Sequence, residues 1–448
     1  MTRKTFATTA LRWLFFLGSA ALFVLGPFER TFNDNERYGY LSDIMPSDWI
    51  ATNIWLDSSE CALRRGAWLA LCEGDKLVPI SERAIADDPG HALLLELWSM
   101  VVGRRATLAD VARLNTLVDA IGLLALGGLV FSLRAYVTSV LLLWLGPILY
   151  LSWMGISPHW SYIGLVSLCA LLPIALVAKT IGLLGARAAW SWIGAGLLAL
   201  ALASLVRESI GLMGLLVTLG SMAVLAWRRE RLLPLAAATL LALVAVSTPR
   251  WVVLARDWSF PMQPAARVAT HGVSHTLYLG LGVVENKWGI RYDDDYGAAT
   301  ATTIDPGVVF CSPEYFRLMG RLYVARWLED PIEVVRIYLE KAWLLLAGQT
   351  MSGPPFGVYL LLGLIHLLLA TWTRAWQRLG FVQGLVIEAT ALAFLLLFLA
   401  QAMAALPSQT YAMPANAFIV LMLGVIVEFL LRLVLRWFTR GADRPVRS

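Results

Sequence analysis

Charged and ionisable residues are scarce in this chain and gather at a few places, and those places are where chemistry can be done. Asp34-Asn35-Glu36-Arg37-Tyr38 follows the first long apolar run by only a few residues. A carboxylate there, Asp34 or Glu36, can serve as general base toward an acceptor hydroxyl or amine, with Arg37 keeping it ionised. The bland reading is a solvated loop acid. Leu205-Val206-Arg207-Glu208-Ser209-Ile210 joins two apolar runs with almost no loop. Arg207 is then either an interfacial turn residue that snorkels to water with Glu208, or a guanidinium aimed into a cavity. In a cavity its fork of donors suits a phosphate. A third cluster holds His271, His275 and Tyr278, followed by Tyr292-Asp293-Asp294-Asp295-Tyr296. Asp293 and Asp295 have the D-x-D spacing that can hold a divalent cation through oxygen ligands, and a solvated acidic turn fits equally. His271 and His275 are neighbours only if this piece is helical, and a third metal ligand of obvious spacing is missing. Glu388 lies inside an apolar run and reads either as a helix–helix hydrogen-bonding group or as a cavity residue.

The elements that must position these residues are membrane helices. Hydrophobic residues make up 58% of the 448 residues and charged residues 15%. That balance excludes an ordinary cytosolic globule, a disordered chain and a collagen-like fibre. Ten runs are long enough to be candidate spans: 10–27, 115–133, 136–155, 160–178, 189–206, 210–227, 232–252, 354–372, 382–404 and 412–434. The first lacks a small-residue cleavage site and reads as a retained span rather than a signal peptide. The 19 Trp and 13 Tyr suit a chain with two water–lipid interfaces. With the N-terminus inside, Arg134, Lys179, Arg187, Arg228, Arg229, Arg231, Arg374, Arg378 and the tail from Arg432 to Arg447 all fall on the cytoplasmic side. The net charge of +5 is therefore read as topology and not as a nucleic-acid surface.

The expected fold is an all-α polytopic membrane protein of about ten transmembrane helices with two large periplasmic segments. The expected layout is an N-terminus and first span over 1–27, a first periplasmic loop with amphipathic helices over 28–114, and spans two to seven over 115–252. A second periplasmic loop over 253–353, spans eight to ten over 354–434 and a basic cytoplasmic tail over 435–448 complete it. Cys61 and Cys72 lie in the first loop, where an oxidising compartment allows a disulfide, with Cys311 as a competing partner. Asp87 or Asp88 can cap a helix that has Pro89 in its first turn, lying in the interface. The glycine and aromatic density of the second loop predicts a folded cap rather than a linker.

Asp34-Asn35-Glu36-Arg37-Tyr38, with Met45 and Asp48-Trp49-Ile50, resembles the D-E-x-R-Y…M…D-W pattern that follows the first span of integral-membrane GT-C glycosyltransferases. The match is to the branch of aminoarabinose transferases and protein O-mannosyltransferase relatives, family 39-like. Asp34 falls on the family's catalytic Asp, Arg37 and Tyr38 on its R-Y, and Asn35 stands where the family has Glu. Asp88-Pro89-Gly90-His91 is similar to the family's P-P-L stretch. Thr248-Pro249-Arg250-Trp251 with Ala255-Arg256-Asp257 is similar to its P-W…R-N ending of a span. Thr410-Tyr411-Ala412-Met413-Pro414 is similar to its late R-Y-x-x-P motif, with Thr410 in place of Arg.

The resemblance implies a polyprenyl-phosphate sugar donor and transfer by inverting displacement to a periplasmic or outer-leaflet acceptor. The implied catalytic residues are Asp34 and Glu36. The candidate substrate-binding residues are Arg37, Tyr38, Asp88, Arg207, Glu208, Arg250, Arg256, His271, His275 and Tyr411. No cofactor is implied beyond a divalent cation that the acidic turn can hold. The expected location is a bacterial inner membrane, multi-pass, N-in and C-in, with the site facing the periplasm and the lipid bilayer as a partner. An O-antigen ligase or polymerase type of transferase, a transporter and a non-catalytic membrane scaffold are the competing readings. The Asp-bearing first loop disfavours the ligase. Polar groups clustered at helix ends rather than at the midplane disfavour the transporter.

Overall fold

The computed structural model describes residues 3–33, 50–83, 88–153, 162–228, 232–262, 266–267, 272–348, 353–407 and 409–442. Asp34, Glu36, Arg37, Tyr38 and His271 lie outside the described residues. The chain forms a bundle of apolar helices carrying two small polar-rimmed subdomains at one end. The first helix, α1 (Arg3–Phe23), runs on through a π-turn at Val24–Phe28 that contains Pro27. A missing Pro N–H breaks the regular ladder, and a wider turn absorbs that loss.

The first subdomain comprises α2 (Ile50–Arg65), the hairpin β1 (Ala70–Glu73) and β2 (Lys76–Pro79), and α3 (Pro89–Val102). The hairpin is the β structure among the described residues, in an otherwise helical chain. Cys61 and Cys72 are bridged, which ties β1 to α2, and Cys311 is free and buried. Ile54, Trp55, Leu71, Ile80 and Leu95 make its core. Buried Glu96 is the polar centre, accepting from the Ser58 hydroxyl and, at 2.8 Å, from the Leu69 N–H. Burial pushes the Glu96 carboxyl up to about 8, against the hydrogen bonds from Ser58 and Leu69 and the charge of Arg256.

The bundle then runs through α4 (Leu108–Ser132), α5 (Tyr136–Trp153), α6 (Tyr162–Cys169), α7 (Leu171–Thr180), α8 (Ala186–Val206), α9 (Glu208–Trp227) and α10 (Leu232–Val246). α4 starts at a capping box in which Thr107 and Asp110 bond reciprocally, earlier than the apolar run alone suggests. The seventh run, expected as one span over 232–252, is not one straight helix. It turns by 51° into α11 (Thr248–Ser259). Pro249 stands in the first turn of α11, where a missing N–H is tolerated and a new helix direction begins. α11 is amphipathic, with Trp251, Leu254 and Trp258 exposed.

The second subdomain holds α12 (Val273–Gly280), α13 (Asp294–Ile304), α14 (Pro313–Glu329) and α15 (Pro331–Ala347) around Tyr278, Leu279, Tyr315, Met319 and Ile337. The expected folded cap is there. The chain re-enters the bundle through α16 (Phe356–Trp372), α17 (Val382–Ala404), the short α18 (Gln409–Ala412) and α19 (Ala415–Ala442). Six described helices are long and apolar enough to cross a membrane, or seven if the bent pair α10–α11 counts as one span. The third, fourth and eighth expected runs are shorter apolar helices by the same measure. The protein is a multi-pass membrane protein.

Polar contacts tie the bundle together. Glu428 of α19 accepts from the Thr138 N–H at 3.0 Å and pairs with Arg432 at 2.7 Å. Arg432 also donates to the Arg134 carbonyl at 3.0 Å, in the turn that follows α4, which ties α19 to the end of the bundle away from the subdomains. Glu388 is buried and accepts from His366 Nδ1 at 2.8 Å, which is the helix–helix alternative of its two readings. Asp119, inside α4, accepts from the Gly164 N–H at 2.7 Å.

Candidate substrate site at the polar end

The two subdomains approach the bundle at two glycines. A Cβ on Gly90 would lie 2.5 Å from the Leu205 carbonyl oxygen, so only glycine lets the start of α3 rest on the turn between α8 and α9. A Cβ on Gly280 would likewise overlap the Ala404 carbonyl at the end of α17. These close approaches fix both subdomains over the same end of the bundle.

The first contact sets Asp88 against Arg207. Asp88 is the N-cap residue of α3, with Pro89 in the first turn, but its side chain makes no capping bond. It faces Arg207 instead, at 3.6 Å, with both side chains largely buried. Arg207 occupies the break between α8 and α9 in extended backbone, and its N–H bonds to the Ala203 carbonyl. The guanidinium is therefore turned toward the start of α3 and is largely buried.

The second subdomain adds an aromatic wall. Tyr292 lies within electrostatic reach of Tyr411, Asp294 and Arg207. Burial, then Tyr411 and Asp294, push its phenol up, while Arg207 pulls the other way. Tyr278 is pushed up to about 12, by burial and by its neighbour Tyr296. These tyrosines stay protonated at neutral pH and offer hydroxyl groups, not charge.

His275 is buried in α12 behind this wall. Its Nε2 lies 3.1 Å from Asp294 Oδ1 and its Nδ1 lies 2.8 Å from the Tyr315 hydroxyl. Burial is the main cause that raises the Tyr315 phenol, so that group donates. Nδ1 then accepts, and Nε2–H donates to Asp294. His275 is thus the middle of a Tyr315–His275–Asp294 chain. The D-x-D pair is also spent differently: Asp293 caps α13 and accepts from the Asp295 N–H at 2.9 Å. A capping carboxylate is a poor half of a cation site, and among the described residues no group of three or more His, Cys, Asp or Glu could hold a metal.

The remaining expected residues are scattered. Tyr411 joins the site through Tyr292. Glu208 and Arg250 are exposed, in the first turns of α9 and α11. Arg256 of α11 is buried against the first subdomain, donating to the Leu69 carbonyl at 3.2 Å and to Asp257 at 2.7 Å. Its bonds hold the hairpin. Tyr292, Asp294, Tyr315 and Lys341 were not singled out from the sequence. Asp294 carried a signal, as the middle acid of the D-D-D run. Lys341 carried none, because nothing in its surroundings reveals that α15 buries it. Its ammonium donates to the Gly280 carbonyl at 2.8 Å, and burial lowers it to about 7.

Many apolar helices under two polar subdomains, with arginine, carboxylate and tyrosine side chains converging between them, define a polytopic membrane protein with a polar site at one end. In the comparisons, the chain is similar to the apo crystal structure of ArnT from Cupriavidus metallidurans, at 18% identity over 84% of this chain and 72% of that one, with a TM-score of 0.31. A TM-score that low carries no argument, and the functional reading rests on this chain's own residues. No family model and no curated protein matches the chain.

Proposed function

We propose that the chain is a membrane glycosyltransferase that moves a sugar from a polyprenyl phosphate to an acceptor glycan, lipid or protein on the periplasmic face. The observation that carries this reading is Arg207, turned inward at a loopless hairpin, paired with Asp88 and beside Tyr292. A lipid phosphate needs a cation at the level where the tail leaves the membrane, and a forked guanidinium supplies charge and two directed donors. Asp88 keeps Arg207 oriented and is exchanged for, or shares it with, the incoming phosphate.

In this reading Asp34 takes the proton of the acceptor hydroxyl or amine as the acceptor atom bonds to the anomeric carbon. The bond from that carbon to the phosphate oxygen breaks, and the phosphate leaves with the electron pair. Attack opposite the leaving group inverts the configuration. Arg207 neutralises charge gathering on the phosphate, which is where electrostatic help to the transition state is greatest. The basic residues at the far end of the bundle support an N-in, C-in topology in a bacterial inner membrane, with this site periplasmic.

The test is mass spectrometry of membrane lipids and surface glycans with and without the gene. The reading expects one polyprenyl-phosphate sugar to accumulate and one glycan, glycolipid or glycoprotein to lose that sugar. Unchanged lipid and glycan profiles would count against it.

A further inference from the structure

We propose that Asp294 contacts the hydroxyl groups of the lipid-linked sugar, and that His275 and Tyr315 are positioning residues that hold it for that contact. This rests on the glycosyltransferase reading and names the part of the site that reads the sugar.

The argument begins with charge. Arg207 and Asp294 both lie within electrostatic reach of Tyr292. A carboxylate so near a phosphate site is repelled by the phosphate, so it does not serve that end of the donor. It suits the other end. A sugar is a neutral polyol, and one carboxylate can accept from two adjacent hydroxyls. Tyr292 and Tyr411 add ring faces and hydroxyl donors, the surroundings a polyol with apolar C–H faces requires. The site then divides by charge, with the cation for phosphate and the anion for hydroxyls.

The second part concerns orientation. Asp294 stands in the first turn of α13 with its side chain 40% exposed, so it faces the outside of the subdomain wall. An exposed carboxylate normally samples several rotamers. Here Oδ1 is fixed at 3.1 Å by His275, and His275 is fixed at 2.8 Å by Tyr315. Phe310 packs edge-on against the imidazole, at 6.1 Å between centroids, and against Tyr315 at 4.9 Å. A buried three-member chain ending on an exposed acid is a device for aiming that acid. Of the titratable groups, Asp294 and Tyr315 face His275 directly, and Tyr278 and Cys311 lie within electrostatic reach of Tyr315.

The test measures binding of two ligands by the full-length protein in detergent. One is undecaprenyl phosphate without a sugar; the other is the polyprenyl-phosphate sugar that accumulates in the gene-deleted strain. Asp294→Asn is expected to weaken the sugar-bearing lipid by about 10- to 100-fold. It should leave undecaprenyl phosphate bound no more weakly, because that ligand has no sugar hydroxyls to lose and the repulsion between Asp294 and its phosphate is relieved. Arg207→Ala should weaken both. His275→Phe should follow Asp294→Asn. His275→Gln should recover most of that loss, since its amide can donate to Asp294 while its carbonyl accepts from Tyr315. Equal weakening of both lipids by Asp294→Asn, or of neither, overturns the assignment. A His275→Gln variant as weak as His275→Phe overturns the positioning role. If the wild-type protein binds neither lipid, the glycosyltransferase reading itself fails.

Discussion

Arg207 and Asp88 are far apart in sequence and opposite in charge, and the pair explains why each has the environment it has. A largely buried guanidinium is costly unless a carboxylate faces it, and a buried N-cap acid is costly unless something replaces its usual backbone partner. At 3.6 Å each meets the other's need. Asp34 is the remaining chemical requirement. Its place after the first span and beside Arg37 and Tyr38 makes it the proposed base. Asp34→Asn keeps the size of the side chain but cannot take a proton, so turnover should fall by about 10²–10⁴ with insertion unchanged. Glu36→Gln is the companion measurement: loss of transfer there, with Asp34→Asn active, moves the base to Glu36. How far the site was legible is clearest in the second loop. The sequence pointed to His275 and to the acidic run. It left the partner of His275 open and chose Asp293 and Asp295 for their spacing. Which of three adjacent acids reaches His275 depends on where α13 begins, and that is set by the cap at Asp293. Spacing alone does not carry that information.

At the scale of elements, the apolar runs were legible because a helix in lipid must be apolar along its length. Each of the ten runs holds helix. What periodicity could not show is where a run breaks. The seventh run turns by 51° near Pro249, and beyond the turn the buried Arg256 of α11 bonds to the Leu69 carbonyl beside the hairpin. Lys341 is the clearest element-scale feature beyond reach of the sequence. It is fully buried in α15 and donates to the Gly280 carbonyl, where α12 meets the end of α17. Burial draws it down from 10.5 to about 7. Between about pH 7 and 10.5 the folded chain therefore binds fewer protons at this site than the unfolded chain does. Its contribution to stability rises with pH across that window and is smallest below it. Lys341→Met should remove this dependence, so the rise in melting temperature from about pH 7 to about pH 9.5 in wild type should shrink in the variant. Thermal scans by intrinsic fluorescence check this, and an unchanged slope would assign the pH dependence elsewhere.

For the whole molecule, the arrangement follows from two solvents. The bundle buries its apolar side chains against one another and leaves others facing outward, as a lipid-facing surface does. The two subdomains are built like small soluble proteins, with their own cores, caps and one disulfide. Where the two solvents meet, polar groups concentrate at one end, and the proposed transfer site sits there. The account's central claim is that Arg207 at that junction holds a lipid phosphate that carries a sugar. The most direct measurement is sugar transfer from the accumulated donor by purified protein in vesicles, comparing wild type, Arg207→Ala and Arg207→Lys. Wild type should release free polyprenyl phosphate. Arg207→Ala should bind the donor about 10- to 100-fold more weakly, and Arg207→Lys should recover only part, because a point charge does not replace a fork. Donor affinity and turnover that are the same in all three proteins would contradict the account.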